Sequence, residues 1–183
     1  MVTTMVEKIF QNYLSAPRRS YFKDKKMFRE EKCLFCSTSE KLKKESPPLI
    51  LDLGFTKVFV IANFKNCFLV VNPYPYVPRG QLQLVTHRHI QGMKELNDGE
   101  MDEIFKELIT KIQTSLEKEY PMVVGFNIGI NYGKTAGQSV EHFHIHLVPR
   151  FSSETGFMET TAGTRIVDEN PEETMERMSK YFK

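Results

Sequence analysis

The spacing of hydrophobic and polar residues changes several times along the chain, and each change marks a predicted element. Residues 57–61 and 67–71 are two short apolar runs, separated by Asn63-Phe64-Lys65-Asn66. Runs of that length around a polar turn predict the two strands of a hairpin. The segment Asn72-Pro73-Tyr74-Pro75-Tyr76-Val77-Pro78 cannot extend the second strand, because its three prolines lack the ladder donor. After Gly80, Gln81 and Gln83 alternate with Leu82 and Leu84, which predicts a third strand over 81–86. Met101, Ile104, Phe105, Leu108, Ile109, Ile112 and Leu116 then recur at helical spacing, with charges on the opposite face. Asn97 and Glu100 form a capping-box pattern ahead of this helix, and Pro121 ends it.

A further strand over 122–131 leads through Gly133-Lys134-Thr135-Ala136-Gly137-Gln138-Ser139 into residues 141–150. There His142, His144 and His146 alternate with Phe143, Ile145 and Leu147. That is the period of a half-buried strand, so all three imidazoles emerge on one face. Asn170-Pro171-Glu172-Glu173 predicts a last short helix with proline in its first turn. Towards the N-terminus the pattern predicts a short amphipathic helix over 5–14, an exposed basic stretch over 23–32, and a mobile connection over 37–48 ending in Pro47-Pro48. Hairpins with one long and several short helices predict an α+β fold around a largely antiparallel sheet.

Composition narrows the function classes. A chain of 183 residues with ordinary apolar and charged fractions is expected to form one compact domain. A formal charge of +2 implies no nucleic-acid partner, though it permits a local basic patch around an anionic ligand. No apolar run is long enough to cross a bilayer, and residues 1–10 carry Glu7 and Lys8, so neither a membrane span nor a signal peptide is expected. Three cysteines do not suggest a disulfide framework, and a reducing cytoplasm is the expected location.

Three segments carry candidate chemistry. The histidine strand has three open readings: structural histidines, a three-histidine metal centre, or a nucleophilic His144 acting on an electrophilic phosphorus. The glycine-rich loop offers backbone N–H groups, the Gln138 and Ser139 side chains, and the Lys134 charge to an anionic oxygen. Cys33-x-x-Cys36 is open to redox, buried or metal-binding readings, without a thioredoxin-like context around it.

Residues 127–150, with Gly137-Gln138-Ser139-Val140 followed by the His-apolar-His-apolar-His run, resemble the histidine triad (HIT) superfamily of nucleotide hydrolases and transferases. Ala16-Pro17-Arg18, Asn72 before the prolines, Gly156-Phe157-Met158 and Thr164-Arg165 extend the likeness towards the diadenosine tetraphosphate phosphorylase-like branch. The resemblance implies one HIT domain over 1–183, with an N-terminal extension (1–50), a core (51–150) and a C-terminal tail (151–183). It implies His144 as the nucleophile taking up a nucleoside monophosphate, and His146 as the phosphate contact that assists the leaving group. It implies Gln138 and Ser139 as phosphate-side donors with Asn131 and Gly137 beside them, and Asn72 at the ribose. Arg150 would support the strand end.

Some relatives hold a zinc with such a cysteine pair and two histidines; the matching positions are Cys33, Cys36, His89 and His142. Four such ligands describe a structural zinc. No organic cofactor is implied, and a homodimer is. The expected function is hydrolysis or transfer on dinucleoside polyphosphates or related nucleotides through a nucleotidyl-histidine, with phosphorolysis as one form. The alternatives are a hexose-1-phosphate nucleotidyltransferase-like enzyme and a nucleotide-binding zinc protein with little turnover. The chain departs from the family pattern at Gln81, where relatives usually carry a histidine, and a glutamine cannot titrate there.

Overall fold

A computed structural model describes residues 33–54, 56–152, 154, 156–163 and 166–183, apart from the side chain of Met158. The predicted helix over 5–14, the basic stretch over 23–32, Ala16-Pro17-Arg18 and Thr164-Arg165 lie outside the described residues. The centre of the fold is a six-stranded sheet of β1 (Leu49–Asp52), β2 (Lys57–Asn63), β3 (Cys67–Val71), β4 (Leu82–Thr86), β5 (Val123–Gly129) and β6 (His144–Phe151). Its order is β1-β2-β3-β4-β6-β5, with every neighbouring pair antiparallel. The main helices among the described residues are α1 (Leu34–Leu42), α2 (98–119), α3 (Phe157–Ala162) and α4 (Pro171–Ser179). Sheet and helices together form the predicted α+β class.

One face of the sheet is apolar. Leu82, Leu84, Ile145 and Leu147 pack with Ile104, Leu108, Ile112 and Leu116 of α2 and with Met175 and Met178 of α4. The predicted capping box starts α2: the Asn97 side chain accepts from Glu100 N, and the Glu100 carboxylate accepts from Asn97 N. The regular helical spacing did not anticipate that residues Asp102–Leu108 wind in wider π turns. The Glu103 carboxylate in that stretch accepts from the amides of Lys65 (3.1 Å) and Asn66 (2.7 Å), which ties α2 to the β2–β3 turn.

Two expectations need correction. The stretch 37–48 is not a mobile connection in its first half, because Leu34–Leu42 is helical. Phe35, Thr38, Ser39 and Leu42 recur at helical spacing and are buried, and Thr38 Oγ1 donates to Leu34 O at 3.0 Å. The polar residues there hide a helix anchored by only four positions. The strand β1 gave no recognisable pattern either, since only Leu51 of its four residues is buried. The histidine strand begins at His144, two residues later than the alternation suggests.

Candidate active site and metal centre

Alternation along the central strands sorts their side chains. On β4, Leu82 and Leu84 face the apolar core, so Gln81, Gln83 and Val85 face the other way. On β6, Ile145 and Leu147 do the same, which sends His144 and His146 to that second face. The register pairs Gln83 with His146 and Val85 with His144. Asn72, just beyond β3, follows Val70 on the same face and is joined to Gln81 by its N–H donating to Gln81 O at 2.9 Å. One sheet face therefore carries Asn72, Gln81, Gln83, His144 and His146, all buried. Helix α1 closes its upper end: the Phe35 ring meets the edges of His142 and His144 at 5.7 and 5.4 Å.

The His144 ring has a defined tautomer. Its Nδ1 lies 2.7 Å from the His142 carbonyl, which can only accept, so Nδ1 carries the proton and Nε2 keeps its lone pair. Burial holds its pKa below the ordinary imidazole range, which favours the neutral ring with a free lone pair on Nε2. The His146 ring lies 5.0 Å from that of His144. Its Nδ1 is 3.5 Å from Gln83 Nε2, and the Tyr76 ring meets its edge at 6.2 Å.

His142 belongs to a second group. Its Nε2 donates to Thr86 O at 2.7 Å, which directs Nδ1 towards Cys33 Sγ (3.4 Å) and Cys36 Sγ (3.6 Å). His89 Nδ1 lies 3.2 Å from Cys36 Sγ. Ligand atoms of Cys33, Cys36, His89 and His142 all lie within 4.8 Å of one another. Tetrahedral zinc with its usual bond lengths separates sulfur and nitrogen ligands by about 3.3–3.8 Å, close to the sulfur–nitrogen separations of 3.2, 3.4 and 3.6 Å here, so the donor set suits that ion. The carbonyl partner on the far nitrogen of His142 is the orientation that metal-bound imidazoles adopt. Burial, first of all, pushes His142 down to about 4. Burial and the neighbouring Cys33 push the Cys36 thiol up to about 11, the balance that a bound cation reverses.

The segment between β4 and α2 is braced from below. Arg88 grips the buried Glu100 with two hydrogen bonds of 2.8 and 2.7 Å. His87 accepts from Ser39 Oγ at Nδ1 (2.8 Å) and donates from Nε2 to Phe64 O (3.2 Å). This ties α1 to the sheet, a role for His87 that its sequence position did not reveal.

The glycine-rich loop is a single 3-10 turn, Lys134–Ala136, between Gly133 and Gly137, whose φ angles of 84° and 88° favour glycine. The Gln138 amide joins this loop to the β4–α2 connection: Oε1 accepts from Gly133 N (2.8 Å) and Nε2 donates to Gln91 O (3.3 Å). Asn131 Nδ2 donates to Gly137 O at 3.3 Å, and Ser139 is half-buried beside them. Arg150 is held by Glu154 and by Asn127 Oδ1 (2.6 Å), at the strand end. Sequence reasoning missed Phe35, Tyr76 and Gln83 as parts of the site. Only Gln83 carried a signal, a second amide in an otherwise apolar strand.

Residues 56–153 match the HIT domain family. The chain is 33% identical over 119 residues to the AP-4-A phosphorylase of Mycobacterium tuberculosis, which covers 64% of this chain and 60% of that protein. It is 35% identical over 80 residues to the asymmetrical bis(5'-nucleosyl)-tetraphosphatase of Schizosaccharomyces pombe, 44% of this chain and 42% of the relative. The chain thus spans less than two thirds of these curated relatives. Among solved structures, a Zn-bound histidine triad family protein from Mycobacterium smegmatis shares the fold with a TM-score of 0.59 at 21% identity, over 81% of this chain and 91% of its own. A match over more than half of the chain, which includes the strand that carries His144 and His146, shows that this protein belongs to the HIT domain family.

Proposed function

We propose that the protein is a nucleotidyl hydrolase or transferase acting on dinucleoside polyphosphates in two displacements. The observation that carries this reading is the neutral His144 ring, protonated at Nδ1 by its bond to His142 O and presenting Nε2 as a nucleophile. In the first step Nε2 bonds to the α-phosphorus and the bond to the leaving phosphate oxygen breaks, with His146 beside the departing group. In the second, water or inorganic phosphate attacks that phosphorus, the N–P bond breaks, and nucleoside monophosphate or diphosphate leaves. The glycine-rich loop, with Ser139, Gln138, Gly137 and Asn131, stands on the phosphate side, and Asn72 stands at the ribose. The names of the relatives, phosphorylase and tetraphosphatase, support the substrate class. Labelling with a radioactive dinucleoside polyphosphate should trap a covalent nucleotide on the wild type and none on His144→Asn. Turnover measured with and without inorganic phosphate separates phosphorolysis from hydrolysis.

A second reading, a nucleotide-binding protein with little turnover, is favoured by Gln81, an amide on the catalytic face that cannot move a proton. Failure to trap the adduct with binding intact would select it.

We also propose that Cys33, Cys36, His89 and His142 hold a structural zinc, supported by their spacing and by the Zn-bound relative. Zinc there ties α1 to the β4–α2 connection and to the start of β6, and takes no part in the reaction. No helix among the described residues is long and apolar enough to cross a membrane. A reducing cytoplasm suits a pair of thiols held for metal. The edge strand β5 supports a homodimer, since Val124 and Ile128 are 70% and 42% exposed along it and Met122 beside it is 59% exposed.

A further inference from the structure

Gln81 is buried to 1% of its surface, and its amide has two different ends. Its Oε1 accepts from the Tyr76 backbone N–H at 2.6 Å, which fixes the amide orientation, because the reverse flip would set two donors against each other. That leaves Nε2 as a buried donor with no hydrogen-bond partner, the only such side-chain atom among the described residues. A buried, unsatisfied donor is destabilising unless something supplies an acceptor. Gln138, by contrast, has both amide ends engaged, by Gly133 N and by Gln91 O.

The surroundings of Gln81 belong to the catalytic face. Gly80 before it has a φ of 72°, and a Cβ there would come within 2.9 Å of the Tyr120 ring. Asn72 is hydrogen-bonded to its carbonyl, and Gln83, two residues on, pairs with His146. The Tyr76 loop that Gln81 anchors also meets His146.

We propose that Gln81 is a substrate-binding residue: its Nε2 donates a hydrogen bond to an acceptor oxygen of the nucleotide, either a ribose hydroxyl or a phosphate oxygen. This rests on the nucleotide-site reading above. The donor is buried in this structure, so a nucleotide reaches it only with a movement of its surroundings.

Gln81→Glu keeps an oxygen for Tyr76 N and removes the donor. Calorimetry on the zinc-loaded full chain, with AMP and GMP as probes, should show Gln81→Glu binding at least about tenfold more weakly than wild type. Gln81→Met, neutral and of similar size, replaces it if the carboxylate prevents folding, and should show a loss of the same order. If the acceptor is a ribose hydroxyl, 2'-deoxy- or 3'-deoxy-AMP should bind wild type weakly and the variant no worse than AMP does. If it is a phosphate oxygen, the variant should lose affinity for all three nucleotides alike. A folded variant that binds AMP and GMP within twofold of wild type overturns the proposal and leaves a trapped water as the partner of Nε2. A wild type that binds neither nucleotide overturns the underlying reading as well.

Discussion

The two faces of the sheet differ in what they bury. Under α2 and α4, Leu82, Leu84, Ile145 and Leu147 pack in an apolar cluster, and burial there stabilises without specifying any chemistry. The opposite face buries Asn72, Gln81, Gln83, His144 and His146, polar groups whose desolvation is unfavourable unless each finds a partner. Strands β4 and β6 contribute to both faces, residue by residue. A one-residue slip of either strand would exchange them, so the apolar face fixes the register that aligns the imidazoles. Within the polar face a second division appears: His142 turns to the cysteines, while His144 and His146 lie ring to ring further along the strand.

The largest expected effect separates chemistry from stability. His144→Asn keeps a donor for His142 O but has no nucleophilic nitrogen, so turnover should fall by at least about 10³-fold. The melting temperature should stay within a few degrees of wild type. Adduct formation on that variant would move the nucleophile elsewhere and dissolve the distinction between His144 and its neighbours. Removing the metal should do the reverse. Chelation, or Cys36→Ser, should remove about 4 kcal/mol or more of zinc-linked stability, which lowers Tm by about 8–16 °C in a domain of this size. An unchanged Tm in reduced, metal-free protein would leave the four ligands as a cluster without an ion.

Much of this division was legible in the sequence, because alternation and helical spacing are direct consequences of backbone geometry. The His-apolar-His run gave the two-sided strand, and Asn97 with Glu100 gave the start of α2. The quartet of Cys33, Cys36, His89 and His142 came from the family resemblance rather than from spacing, since its members lie as far as 109 residues apart. What stayed hidden depends on tertiary contacts. Helix α1 is written in polar residues, and its role follows from Phe35 resting on two histidines. Which end of the Gln81 amide stays unsatisfied is set by the Tyr76 N–H at the other end.

On the apolar face, truncation should cost stability alone. Ile112 is fully buried between α2 and the sheet. Ile112→Ala should destabilise by about 2–5 kcal/mol through lost contacts and the cavity left behind. Chemical denaturation measures that loss, and kcat per folded molecule should be unchanged below the transition. A proportionate fall in kcat would mean that the two faces are coupled through strand position, and that the apolar side tunes the geometry of His144.

The smallest effect tests how the metal end is attached to the rest of the molecule. Arg88 sits between His87 and His89 and is held by Glu100, whose carboxylate also accepts from Asn97 N. The hydrogen bond from Arg88 holds the Glu100 carboxyl below the usual carboxylate range. A carboxyl with a depressed folded pKa adds stability that is fully present above its unfolded value of about 4.3 and is lost as pH falls through the lower folded value. Glu100→Gln should therefore cost about 1 kcal/mol at neutral pH, the low end for a charged partner because Arg88 is half-exposed. Denaturation series at pH 7 and below pH 4 should show the gap between wild type and variant closing in acid. Zinc loss to a chelator should also be faster in the variant at pH 7, since the bond that steadies the segment carrying His89 is weakened. Parallel pH curves for the two proteins would show that the ion pair is solvated in practice, and that His89 is placed by the metal rather than for it.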